Sequence, residues 1–266
     1  MNSKSLVQKA IDDLFESWRW RRVILYYAYN EIKLRYRGSA IGPFWLVLNT
    51  LIQISTLSII YTRVFNIDAG EYIKWITCGI IPWGFIAASI TDGCTLYKVS
   101  RKIYSNQKIP MSFFAYKLIV VNNIIFLHQL PIYVLVVLFF HIPITLFGLI
   151  NIILGIACVS FICLCIVIVI GILSERFHDI PQIITNIMNL AFLATPIIWI
   201  PKLIPKGELI AQFNPLYYMV QAIRAPLMGE TLSLFELQMV IGISVVMGIF
   251  AFTLFTRCRH RIVFWG

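Results

Sequence analysis

The chain has 266 residues, of which 59% are hydrophobic and 13% are charged, and its mean hydropathy is +0.83. This composition excludes a soluble domain with a single anchor and indicates a polytopic membrane protein. Lys and Arg outnumber Asp and Glu by 22 to 12, but their positions are more informative than their sum, and we expect membrane lipids rather than nucleic acid as contacts.

The first 40 residues are expected to form a cytoplasmic interface segment. Between residues 14 and 36, apolar and aromatic side chains recur at helical intervals, with basic side chains between them. This pattern predicts an amphipathic helix at a membrane surface, with aromatic rings in the interface and basic groups toward the headgroups. The same face could instead dock a cytoplasmic partner.

Residues 41–266 are predicted to form a second, membrane-embedded domain. Residues 118–174 contain no Asp, Glu, Lys or Arg, and each crossing of a bilayer needs about 20 apolar residues. The segment does not alternate polar and apolar residues as barrel strands do, so it is expected to be helical. Over the whole chain we predict six spans, at residues 41–64, 72–97, 118–140, 144–173, 180–200 and 237–255.

The segment between the fifth and sixth spans is predicted to hold two short helices. Residues 206–212 and 215–227 are moderately apolar but too short to cross a bilayer. They are therefore interpreted as interfacial or re-entrant half helices. The predicted fold is an all-α membrane protein with an amphipathic lead, six spans and two half helices.

The orientation follows from the distribution of basic residues. Segments 1–41, 98–117, 174–179 and 257–266 together hold 17 of the 22 Lys and Arg residues. The positive-inside rule places such segments in the cytoplasm. Both termini are therefore predicted to be cytoplasmic.

Sequence motifs for catalysis are missing. The chain contains no phosphate-binding loop, no H-E-x-x-H zinc pair and no G-x-S-x-G elbow, and its six cysteines lack metal-ligand spacing. We therefore predict no catalytic residue, no metal site and no cofactor in this chain. A membrane transferase is an alternative, and Glu175, His178 and Asp179 are the one dense group that could serve it, although a charged turn explains them as well.

The first span has a polar face. Asn49, Gln53 and Thr56 are spaced by four and three residues, which places them on one side of a helix. Polar groups in a membrane helix turn toward other helices or toward water. This face could hold helices together or line a path.

Three motifs follow one another along the chain. They are EIKLRYRGSAIGPFW (31–45), DIPQ (179–182) followed by TPIIW (195–199), and NPLYY (214–218) with RAPL (224–227). In this order they resemble the type-2 ABC exporter permeases that export O-antigen, capsule and teichoic-acid polysaccharides. The first motif is similar to the entrance segment of that family, the second to its fifth span and the third to its outer re-entrant region.

This resemblance implies a homodimer paired with two copies of a separate cytoplasmic ATPase, which would bind ATP and Mg. The cargo would be an undecaprenyl-type lipid-linked glycan crossing the bacterial inner membrane, with O-antigen expected first and capsule next. An exporter half for a small drug or lipid is an alternative.

The resemblance also assigns expected roles to residues. ATPase docking is expected from Trp18, Arg22, Arg35, Arg101, Lys102, Ser105 and Lys108. The entrance for the lipid pyrophosphate is expected at Arg35 and Arg37, whose guanidinium groups suit phosphate oxygens. The glycan conduit and outer gate are expected from Asn49, Gln53, Tyr61, Phe65, Asn189, Phe192, Trp199, Phe213, Tyr217 and Tyr218, the aromatics offering ring faces for sugar C–H groups.

Overall fold

The computed structural model describes residues 5–42, 44–104, 108–143 and 145–265. Throughout these ranges the secondary structure is helical and no strand occurs, as the sequence predicted. The α-helices are α1 (Leu6–Arg19), α2 (Arg21–Arg35), α3 (Phe44–Phe65), α4 (Ala69–Gly93), α5 (Leu96–Tyr104), α6 (Ser112–Phe140), α7 (Leu146–Arg176), α8 (Ile180–Ala194), α9 (Gly207–Gln212), α10 (Pro215–Leu227), α11 (Leu234–Cys258) and α12 (Ile262–Trp265), with a 3₁₀ turn at Pro201–Leu203.

Five described helices, α3, α4, α6, α7 and α11, are long and apolar enough to cross a membrane. Among them α4 is the most buried, because it packs against α3, α6, α7, α8 and α10 at once. Its helix continues through Pro82. The core of the molecule therefore surrounds α4, and α3 and α8 lie on its flanks.

The helix α8 is shorter than the predicted fifth span of residues 180–200. It ends at Ala194 because Thr195 precedes Pro196 and adopts an extended conformation, as residues before proline tend to do. Its 15 residues span about 22 Å at 1.5 Å per residue. The chain then continues through bends to the 3₁₀ turn.

The N-terminal lead also differs from the single helix predicted over residues 14–36. It forms two helices that meet at Trp20, and the first begins at Leu6. The strongly amphipathic part is α1, whose apolar side chains Val7, Ile11, Phe15 and Trp18 are exposed, whereas Asp13 and Ser17 are buried. The side of α1 that carries Ala10, Asp13 and Ser17 therefore faces the bundle.

One end of the bundle, called here the α1 end, collects α1, α2, α5 and α12. These helices pack against the start of α6 and the ends of α7 and α11. Arg259, just after α11, donates to Asp13 of α1 at 2.6 Å. The helix α1 and the end of the last long helix, α11, therefore meet at the same end.

The opposite end, called here the α10 end, holds α9, α10 and the starts of α4 and α11. Two short helices, α9 and α10, are observed within one residue of the bounds predicted for the half helices, 206–212 and 215–227. Asn214 caps α10 by accepting from the backbone N–H of Leu216, and Pro215 occupies its first turn.

Candidate functional site

The helix α10 lies inside the bundle rather than on its surface. Its residues from Tyr218 to Leu227 are all buried, and it packs against α4 and α7. Two glycines make this packing possible. A Cβ at Gly155 of α7 would collide with the backbone carbonyl of Ala222, and one at Gly79 of α4 would collide with the guanidinium of Arg224.

Arg224 is a fully buried basic residue on α10. Its Nη1 donates to the carbonyl oxygen of Pro196 at 2.7 Å, and its guanidinium carbon lies 4.1 Å from the ring centroid of Trp75. Arg224 therefore links α10 to α4 and to the bend that follows α8.

Further hydrogen bonds hold the α10 end together. Tyr72, in the first turn of α4, donates to the carbonyl of Ile198 at 2.6 Å. Tyr133 of α6 donates to the carbonyl of Leu227 at 2.8 Å. Because Ile198 lies at the α10 end, the segment that begins with α8 at the α1 end runs the length of the bundle.

At the α1 end, the buried carboxylate of Asp13 joins three elements. It accepts from the backbone N–H groups of Met111 and Ser112, at 3.0 and 2.9 Å, and from Nε of Arg259. The N–H groups at the start of a helix have no partner within the helix. Asp13 therefore caps α6 while it pairs with the residue that follows α11.

The α1 end has a second buried acid, Glu175, at the end of α7. Its side chain is 5% exposed and pairs with Arg101 of α5 at 2.6 Å. His178 and Asp179 are exposed in the turn that follows. The group considered for a membrane transferase therefore has one member in an ion pair with α5.

The residues expected to dock an ATPase lie at the α1 end. Trp18 and Arg22 are exposed on α1 and α2, and Lys108 is exposed after α5. Lys102 lies on α5, and Ser105 lies outside the described residues. Whether they contact an ATPase stays a prediction.

The two arginines expected at the lipid entrance are both exposed. Arg35 ends α2 and lies 3.9 Å from Glu31, whose carboxylate also pairs with Lys117 of α6 at 2.7 Å. Arg37 follows in a turn before Gly38, which has a φ of +84°. The two arginines therefore lie at the α1 end, a few residues before the start of α3.

The polar conduit residues lie on exposed helix faces. Asn49 and Gln53 are exposed on α3, with Thr56 on the same side, and Asn189 is exposed on α8. The same side of α8 also carries Gln182 and Asn186, and Gln182 donates to Asn186 at 3.3 Å. Both flanking helices of α4 thus present polar rows outward.

The aromatic conduit residues are divided between two environments. Packing against the bundle is seen for Tyr61 and Phe65, whose rings stack 5.6 Å apart, and for Phe192, whose ring lies 5.8 Å from Trp83. Trp199 is half-buried and donates to the carbonyl of Leu193 at 2.9 Å.

The remaining three aromatic residues of the predicted conduit lie on α10 or just before it. Phe213 is 82% exposed. Tyr217 and Tyr218 line a cavity at the α10 end, and Tyr218 is buried and donates to the carbonyl of Gln212 at 2.9 Å. The structure does not gather these rings on one surface of a single chain.

Sequence reasoning missed the residues that fix the two ends. Asp13 and Gly155 carry no local signal, since their partners are distant in the chain. Arg224 does carry one, because an isolated charge in an apolar helix is expensive to bury and is usually retained for a purpose. Gly79 lies one turn before Pro82 inside the continuous helix α4, and a glycine in the interior of a helix was a second available signal of close packing.

Comparisons with known proteins agree in one family. Residues 22–228 match the family described as ABC-2 type transporter. A protein named O-antigen export system permease protein RfbA from Klebsiella pneumoniae is 23% identical over 244 residues, covering 87% of this chain and 90% of the relative. A protein of the same name from Myxococcus xanthus is 23% identical over 188 residues, covering 69% of this chain and 70% of the relative.

Proposed function

The chain belongs to the ABC-2 type transporter family, and from that premise we propose that it is the membrane subunit of a polysaccharide exporter, with O-antigen as the first candidate cargo and capsule as the next. The observation that carries the proposal is the alignment with O-antigen export permeases along 87% of this chain. The helical bundle, with five helices able to cross a membrane, supports the same reading.

The proposed topology has six crossings. The ion pair between Asp13 and Arg259 supports an even number of crossings, because it brings the helix that precedes the first span and the residue that follows the last span to one end. Among the described residues five helices qualify by length, so an even number needs a sixth crossing. The segment from Ile180 to Ile198, which runs between the two ends, would provide it. α9 and α10 then enter and leave the membrane on the side opposite the termini.

The proposed orientation places the α1 end in the cytoplasm of a bacterial inner membrane. The segments at this end hold 17 of the 22 Lys and Arg residues, which the positive-inside rule places inside. The exposed apolar side chains of Val7 and Phe15 on α1 would lie in the lipid interface. Both termini are then cytoplasmic.

A second copy of the chain would complete the conduit. The polar rows of α3 and α8 are exposed at membrane depth, and polar side chains there face protein or water rather than lipid. Asn49 and Gln53 of one copy would face the equivalent rows of the other across a wet path. The outer gate would be formed around Trp199 and Tyr217.

Energy would come from two copies of a separate ATPase that holds ATP and Mg. Exposed Trp18 and Arg22, with α5, would form its docking surface. The buried pair of Arg101 and Glu175 would carry movement of α5 into α7. The lipid pyrophosphate of an undecaprenyl-type glycan would enter beside Arg35 and Arg37 by charge-assisted hydrogen bonds.

Deleting the gene tests this function. We expect lipid-linked polymer to accumulate inside the cell and surface polysaccharide to disappear, with both restored by the wild-type gene. Surface polysaccharide that persists unchanged in the deletion strain would contradict the proposal.

A variant tests the conduit. Replacing Asn49 and Gln53 together with Leu should leave the protein folded, since both side chains are exposed, but should reduce export. The matched control is Ile52→Leu and Ile59→Leu, exposed apolar positions of the same helix. Equal export by both double variants would remove α3 from the conduit.

A further inference from the structure

A cavity of about 1010 Å³ opens at the α10 end. It lies between the first turns of α4, the start of α10 and the segment that leads into α11, all within one chain. Its volume is at the upper end of the range of small-molecule sites, which is about 300–1,000 Å³. Because Tyr217 lines it, the cavity adjoins the proposed outer gate, whereas the polar rows of α3 and α8 lie outside it.

The wall combines aromatic rings with charged groups. Trp75, Tyr217 and Phe235 contribute rings, and Phe235 is 54% exposed. Aromatic rings pack against the C–H faces of sugars through dispersion and weak C–H contacts. The wall thus provides apolar platforms beside polar groups.

Most charged groups in the wall are not engaged by the protein. Within the described ranges, no hydrogen bond or ion pair is made by the side chains of Glu71, Glu208, Glu230, Lys74 or Lys202. The fourth acid, Glu236, is occupied by its capping box with Ser233. Three carboxylates and two ammonium groups thus remain available to accept from and donate to a ligand.

Two buried polar atoms in the wall also lack a partner. The Nε1 of Trp75 is a donor and the Oε1 of Gln221 is an acceptor, and neither is hydrogen-bonded in the structure. Gln221 is 9% exposed. Buried polar groups are nearly always satisfied by protein, water or ligand, and both residues line the cavity, so a small displacement of the wall by a ligand would let a hydroxyl group pair with these atoms.

A metal ion does not explain the acids. Among the described residues, no three His, Cys, Asp or Glu side chains converge closely enough to hold one. The mixture of acceptors, donors, an amide and rings instead suits a ligand whose hydroxyl groups both donate and accept.

We propose that this cavity is a saccharide-binding site that holds a short segment of the exported glycan as it leaves the conduit. The proposal rests on the proposed function, since the α10 end faces outward only in that orientation. The site would retain the emerging chain between strokes of the ATPase.

The test measures binding to the full chain with its ATPase in lipid nanodiscs. The probe is an oligosaccharide released from the surface glycan of the same cell, and isomaltotriose is the unrelated saccharide. Saturation-transfer NMR gives the affinity for the wild type and for Gln221→Met, Glu230→Gln and Gln238→Met. Gln238 is exposed at the start of α11 outside the cavity, so it serves as the matched control.

We expect saturable binding of the cell's own oligosaccharide, weakened about tenfold by Gln221→Met, which leaves its partner hydroxyl unpaired. Glu230→Gln should weaken it severalfold, and because Glu230 is exposed this variant will fold even if the first does not. Gln238→Met should bind as the wild type does.

The outcomes separate the two proposals. A complex that exports glycan but does not bind the probe, or whose Glu230→Gln and folded Gln221→Met variants bind normally, overturns the saccharide site and leaves the export function intact. A complex that neither exports nor binds overturns both. Equal affinity for isomaltotriose overturns the assignment to the exported glycan.

Discussion

The two ends of the bundle bury charges of opposite sign in different ways. At the α1 end, the side chains of Asp13 and Glu175 are 0% and 5% exposed, and each pairs with an arginine that is 32% or 42% exposed. At the α10 end, Arg224 is fully buried against a carbonyl group and an indole ring.

The α1 end is therefore held together by ion pairs, whereas the α10 end is held together by close packing. The acids at the α1 end are joined to groups that reach the surface, so a partner that binds there can compete for them. Arg224 is enclosed between glycine-containing helices, so its end of the molecule responds to changes in packing. Four substitutions test this contrast, each measured by unfolding of the purified protein in mixed micelles.

The largest effect is expected from Asp13→Ala at the α1 end. It removes the cap from α6 and the carboxylate partner of Arg259, whose side chain is 32% exposed. Hydrogen bonds to charged groups contribute about 1.5–3 kcal/mol each, so the loss of several of them should lower the free energy of unfolding by about 3 kcal/mol. Glu16→Ala, an exposed acid on the same helix, is the control and should cost less than about 0.5 kcal/mol. Similar losses for the two variants would show that the charge of Asp13 is not what holds α1.

The next effect is expected from Gly155→Ala at the α10 end. The added Cβ meets the backbone carbonyl of Ala222, which cannot rotate away, so overpacking should cost about 2 kcal/mol. Gly242→Ala on α11 meets no atom within 4 Å and should be neutral or slightly stabilising. A stable Gly155→Ala protein would mean that α10 is not held by shape.

A smaller effect is expected from Glu175→Gln. Hydrogen bonds to charged groups contribute about 1.5–3 kcal/mol to the free energy of unfolding. Because the Arg101 side chain is 42% exposed, we expect a loss near the lower of these two values. Arg101→Gln and the double variant complete a thermodynamic cycle. Losses that simply add would show that the two side chains are not coupled.

The smallest effect is expected from Lys117→Met, which breaks the pair with Glu31. Because Glu31 is 39% exposed, the loss should stay below about 1 kcal/mol and should shrink further at high salt. A salt-insensitive loss larger than that of Glu175→Gln would contradict the ranking of pairs by burial.

Local signals predicted the elements better than the contacts between them. The bounds of α10 were predictable because Asn214 and Pro215 start it and Gly229, with a φ of +77°, follows its end. The end of α8 was missed, although Pro196 was visible, because the apolar run continues to Ile200. The break between α1 and α2 at Trp20 could not be predicted, because no proline or glycine lies near it in the sequence.

The site was less predictable than the fold. The unpartnered amide of Gln221 and the ring of Trp75 are 146 residues apart in the chain, and their cavity exists only because α10 enters the bundle. The exposed polar rows of α3 and α8 were accessible from the sequence because helical spacing alone defines a face. Contacts set by packing between distant helices have no comparable periodic signal.

The bond between Asp13 and Arg259 joins residues that are 246 positions apart in the chain. During translation α1 is therefore synthesised long before its guanidinium partner. The contacts of α1 with α6 and with the residue after α11 can be complete only once the ribosome has passed Arg259, so this end of the bundle is assembled late in biosynthesis.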